Sequence, residues 1–102
     1  MDTKIEKSVL SVLFNTDFIE GSEMLDAECF HDPHCARIFS HIIEESRPID
    51  LQIFRSKLEA QGVVDDIGGV AFIAEIYTYQ PTSAHFKNHV KILIDLKWKE
   101  TT

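Results

Sequence analysis

Basic charge is scarce in this sequence: ten Lys and Arg stand against seventeen Asp and Glu, a net of −7. A surface with that balance repels a phosphate backbone, so strong direct binding of nucleic acid by the chain alone is not expected. Cysteine is sparse too. Two cysteines make no disulfide framework, and with no secretory pattern both are expected as free thiols in a reducing cytoplasm. No window approaches the ~18 apolar residues of a membrane helix, so no membrane partner is expected. The opening "MDTKIEKSVLSVLF" has an acid at position 2 and no long apolar run, unlike a signal peptide. Convincing runs of apolar–polar alternation are missing as well, which leaves no candidate strand.

What remains is an ordinary globular composition. The 102 residues are 44% hydrophobic and 26% charged, with seven Phe, two Tyr and one Trp to fill a core. That is one domain, residues 1–102, near the usual size for a single core.

The periodicity is helical almost throughout. In "TKIEKSVLSVLFN", Ile5, Val9, Val12 and Leu13 share a face that Leu10 and Phe14 widen. Thr3 as N-cap and Glu6 three residues on would form a capping box. A short helix in "DFIEGSEML" is weakened by Gly21. Asp32 followed by Pro33 reads as an N-cap and a proline at the first helical position, where a missing N–H costs nothing. The helix that follows repeats apolar residues at 35, 38, 39, 42 and 43. It is expected to stop before Pro48. Asp50 caps "LQIFRSKLEAQ", and Gly62 stands where a left-handed C-terminal residue is wanted. "VVDDIGG" reads as a turn, with Gly68 and Gly69 ahead of "GVAFIAEIYTY", apolar on nearly all sides and expected to be the most buried helix. "QPTS" breaks the chain before a last helix from about Ser83 to Glu100. The expected architecture is all-α, a compact bundle of five to six helices.

Motifs for catalysis are missing. There is no GxxxxGK[ST] loop, and Gly68 and Gly69 lack both the lysine and the preceding strand of a phosphate cradle. No serine sits in a nucleophile elbow, and no acid pair is marked for general acid–base work. No catalytic residue and no cofactor are assigned.

One stretch invites a metal. "ECFHDPHCARIFSH" holds two cysteines and three histidines in fourteen positions, and Cys29, His31, His34 and Cys35 make a formal four-ligand set for zinc. Two points oppose it. His34 and Cys35 are neighbours in a first helical turn, where their side chains diverge by about 100°. Cys35 is also in register with Ile38, Phe39 and Ile42, a core stripe in which a thiol behaves as a small hydrophobe. Phe30 reads as an inward anchor. The structural reading is preferred, and no metal is assigned.

The last helix carries more apolar surface than a small bundle buries. Phe86, His89, Val90, Leu93 and Leu96 make one face, Ile94 and Trp98 extend it on one side and Ile92 on the other. Phe86, Val90, Ile92, Ile94 and Trp98 are therefore the candidate contacts for a second chain. A homodimer is expected, with Trp98→Ala shifting it toward monomer. The tail from 82 to 102 is locally basic, since Lys87, Lys91, Lys97 and Lys99 outnumber Asp95 and Glu100, and the four lysines read as a solvated face.

"PIDLQIFRSKLEAQGVVDDIGGVAFIAEI" is the most specific segment, and it resembles the N-terminal domain of DnaB-type replicative DNA helicases. The resemblance rests on Pro48, Ile49, Asp50, Leu58, Gly62, Gly68, Gly69, Phe72, Ala74 and Glu75. "EKSVLSVLF", "CFHDPHCARIF" and "QPTSAHFKNHVKILI" extend it from about residue 4 to 100. Departures are Cys35 for a usual histidine, Ser11 for a common glycine, His85 for an asparagine and His89 for a tyrosine.

The resemblance implies a helical head followed by a helical hairpin, of which this sequence carries only the first helix and none of the ATPase domain. It further implies a non-catalytic module that forms dimers around a hexameric collar and docks primase or a helicase loader. Two readings stand: such a domain of a replicative helicase, or a stand-alone phage or mobile-element domain that modulates a host helicase or primase.

Overall fold

The computed structural model describes residues 3–15, 25–46, 48–79 and 86–101, with the side chains of residues 3, 96 and 98–101 outside that description. Its Cα radius of gyration, 12.9 Å, matches the ~13 Å of a compact chain of this length. Five α-helices follow in order: α1 (Thr3–Asn15), α2 (Pro33–Glu44), α3 (Leu51–Gln61), α4 (Gly69–Tyr79) and α5 (Phe86–Thr101). Short 3₁₀ turns at Ala27–Cys29 and Asp65–Ile67 complete the described elements, and no strand occurs among them. The possible helix within 17–25 and the "QPTS" break lie largely outside the described residues.

Local chemistry sets several helix boundaries. The Asp32 carboxylate accepts from the His34 and Cys35 amides at 2.8 and 3.3 Å, with Pro33 opening α2. Asp50 does the same for Gln52 and Ile53 at 2.9 and 3.0 Å. Each cap satisfies amides that the first helical turn leaves without an internal acceptor. At the end of α3, Gly62 takes a left-handed φ of 72°, and its N–H reaches the Glu59 carbonyl at 3.1 Å. Gly68 is the more constrained glycine. At φ 102° a side chain there is strained, and an added Cβ would lie 2.9 Å from Cγ of Phe72.

The centre of the fold is α1, not α4. Val9, Leu10, Ser11, Val12, Leu13 and Phe14 are all buried, and α1 packs against α2, α4 and α5. Helix α4 buries only Ile73 and Ile76, while Val70, Ala71, Ala74 and Glu75 are exposed. The expectation that the most apolar helix is the most buried is thereby corrected. Position in the bundle decides burial, and α4 lies on one flank of α1. Edge-to-face rings tie three helices together, with Phe14 of α1 4.9 Å from Phe54 of α3 and 5.3 Å from Tyr77 of α4. The Asn15 amide group donates to the carbonyls of Ser11 and Tyr77, both at 2.8 Å, joining the ends of α1 and α4.

Candidate functional site

The stretch around residues 26–35 is built from the core outward. Cys29, Phe30, Cys35, Ile38 and Phe39 are buried, and the Phe30 and Phe39 rings lie 4.9 Å apart. Burial raises the pKa of both the Cys29 and the Cys35 thiol, so both stay protonated and neither is primed as a thiolate ligand or nucleophile. His34 points elsewhere: its exposed ring sits 5.9 Å from that of Phe72 on α4. Among the described residues no group of three or more His, Cys, Asp or Glu side chains is placed to hold a metal ion. The four formal zinc ligands Cys29, His31, His34 and Cys35 are thus spread between core and surface.

Sequence reasoning missed the residue that organises this stretch. Glu6 is 1% exposed, and its two carboxylate oxygens accept from the backbone amides of His31 and Asp32, both at 3.2 Å. Thr3 is the first residue of α1. Thr3 is thus inside the helix and not its N-cap, and the Glu6 carboxylate instead clamps the segment leading into α2. Burial pushes its carboxyl above the ordinary 4.5, against the opposing pull of the two amides. A signal was present: Glu6 lies three and four residues before Val9 and Leu10, inside the apolar face of α1. The partner was not legible, because it lies 25 residues away.

Beside this clamp, the Lys7 ammonium donates to the Glu75 carboxylate of α4. It also lies 5.9 Å from the ring centres of Phe72 and Tyr79. Its hydrogen bond to Glu75 raises the lysine pKa and keeps the charge in place. These contacts staple α1 to α4 at the surface.

Helix α5 divides its candidate contacts. Phe86, Val90 and Leu93 are 4%, 5% and 1% exposed and belong to the chain's own core. Phe86 and Val90 are therefore not surface residues here, because the face they occupy is the one laid on α1. Ile94 is half-buried against the core, while Ile92 is 40% exposed and turned outward. The Trp98 side chain lies outside the described residues. Lys97 reaches back from α5 to Asp26 at 2.6 Å and Glu28 at 3.6 Å, a contact with no local sequence signal across 71 residues. Among the described residues no helix is long and apolar enough to cross a membrane.

These features define a class: an all-helical domain with one packed core, built on a central first helix and ending in a last helix that keeps one flank open. The chain belongs to the family of the DnaB-like helicase N terminal domain, whose sequence pattern matches residues 1–95. It is similar to the replicative DNA helicase DnaB of Geobacillus stearothermophilus, 27% identical over 93 residues, covering 86% of this chain and 20% of that protein. The replicative DNA helicase DnaB of Haemophilus influenzae is likewise 27% identical, over 96 residues, with 89% of this chain and 20% of the relative covered. The chain spans about a fifth of the length of these curated relatives.

Proposed function

We propose that this chain acts as a non-catalytic interaction and oligomerisation domain of a replicative DNA helicase, working in ring assembly and in the docking of primase or a helicase loader in the cytoplasm. The observation that carries this reading is the family match over residues 1–95, to which proteins named as replicative helicases correspond. The outward flank of α5 supports it. Ile92 is a large apolar side chain at 40% exposure, next to the half-buried Ile94, on a helix whose inner face is already filled. Such a flank suits a second helix better than it suits water. The acidic balance of the chain points the same way, toward protein partners rather than a phosphate backbone.

Sedimentation across a range of protein concentrations tests the self-association. The chain is expected to associate reversibly, and Ile92→Asp and Trp98→Ala are each expected to shift the population toward monomer. Titration against the primase and loader encoded in the same genome tests docking. A chain that is monomeric throughout and binds none of these proteins would sink the proposal. Binding to a complete helicase ring, without self-association or primase binding, would instead favour the stand-alone modulator.

A further inference from the structure

Among the described side chains of α5, two kinds of contact reach the rest of the molecule, at different points along the helix. Phe86, Val90 and Leu93 seat its first half by apolar burial. One turn beyond Leu93, Lys97 adds an electrostatic attachment. The Lys97 ammonium lies 2.6 Å from Oδ2 of Asp26 and 3.6 Å from Oε2 of Glu28, and the lysine side chain is only 20% exposed.

The acceptor is pre-positioned. Asp26 caps the 3₁₀ turn at Ala27–Cys29: its Oδ1 accepts from the Glu28 amide at 3.0 Å and receives the Cys29 thiol at 3.6 Å. That leaves Oδ2 to meet Lys97, so the two oxygens have separate tasks. The turn is itself fixed, because Leu25, Cys29 and Phe30 are buried around it. A carboxylate already ordered by its cap loses little further freedom on pairing, which removes part of the entropy cost that weakens most surface ion pairs. The lysine hydrogen bond holds the Asp26 carboxyl below its ordinary 3.8. Among the described groups, Glu28 and the protonated Cys29 thiol of the turn face the pair.

We propose that Lys97 with Asp26 and Glu28 forms a charge latch, which holds the distal part of α5 on the 26–29 turn and keeps Ile94 packed. Screening or competing charge opens it. Release frees the far end of α5 while its first half stays seated, and the apolar flank widens from Ile92 to Ile94. The amount of apolar surface on α5 is then set by ionic conditions, independently of which partner the helix meets.

Amide hydrogen exchange on the whole chain tests this, read residue by residue by NMR at one protein concentration. At low salt, Lys97→Gln and Asp26→Asn are expected to speed exchange over residues 94–101 about two- to fivefold, the range expected of one partly ordered ion pair. Amides of α1 and α4 stay unchanged. Asn keeps the capping ability of Asp, so the turn itself survives that substitution. Lys97→Arg keeps the charge and is expected to exchange like the wild type. In 1 M NaCl, where the screening length is ~3 Å, the wild type is expected to approach Lys97→Gln without any substitution. Equal α5 rates in wild type and Lys97→Gln at low salt would overturn the latch. So would Lys97→Arg exchanging as fast as Lys97→Gln, or a wild type indifferent to salt.

Discussion

Helices α1 and α4 invert the usual relation between composition and burial. "TKIEKSVLSVLFN" carries Lys4, Glu6 and Lys7, yet six consecutive residues from Val9 to Phe14 are sealed, and so is the acid Glu6. "GVAFIAEIYTY" carries one charge, Glu75, and seals only Ile73 and Ile76. The difference is one of neighbours. Helix α1 packs against three other α-helices, α2, α4 and α5, whereas α4 packs mainly on α1, with the short turn at 65–67 and part of α3 beside it. Apolar residues on a helix state what that helix can bury; how closely whole helices are laid against it decides what it does bury.

The sharpest way to break this contrast is to truncate matched apolar side chains in the two helices. Leu10→Ala in α1, at full burial, is expected to cost about 2–5 kcal/mol in chemical denaturation, from lost transfer energy and the cavity left behind. A loss below 1 kcal/mol would mean that α1 is not the centre of the core.

Glu6 comes next. Glu6→Ala removes both acceptors from the His31 and Asp32 amides and is expected to cost about 1–3 kcal/mol near neutral pH, the penalty of leaving a buried amide unsatisfied. The pH dependence carries a definite sign. Because the folded pKa of Glu6 is raised, the native state binds its proton more tightly than the unfolded chain does. Its contribution is fully present below the ordinary 4.5 and is lost as pH rises through the raised folded value. Comparing denaturation midpoints of wild type and Glu6→Gln across that window should show a downward slope with pH in the wild type that is absent in the variant. A parallel pair of curves would remove Glu6 from the account.

The smallest effect belongs to α4. Val70 is 37% exposed, so Val70→Ala is expected to fall within about 0.5 kcal/mol of wild type in the same assay. If Val70→Ala cost as much as Leu10→Ala, the contrast between the helices would disappear.

Much of the fold was legible because its determinants are local. Asp32 with Pro33, Asp50 and Gly62 act within three or four residues of themselves, so a helix boundary can be read from a few adjacent letters. The alternating burial in α2 follows from its own period, with Cys35, Ile38, Phe39 and Ile42 inside. What escaped the sequence is long-range. The partners of Glu6, Lys7 and Lys97 lie 25, 68 and 71 residues away, and no spacing rule couples them. The same reason explains α4, whose wheel shows an apolar surface but not how much of it other elements cover. For α5 the wheel grouped Phe86 and Val90 with Ile92 and Ile94 as contact residues, and only the packing separates the inner pair from the outer flank.

The central place of α1 has a consequence for the order of events during synthesis. Its main partners, α4 and α5, follow it in the chain by more than fifty residues. While the chain is being made, Val9 to Phe14 have no α4 or α5 to close over them, and at ~5–20 residues per second that interval lasts some seconds. An early contact for α1 among the described residues is the segment at 31–32, which Glu6 grips by its backbone. A buried acid that is unfavourable for the finished core can thus serve the unfinished one, giving a bare hydrophobic helix a soluble, directional first contact. The fold would then close from α1 and α2 outward, with α5 arriving last over a site kept in order for it.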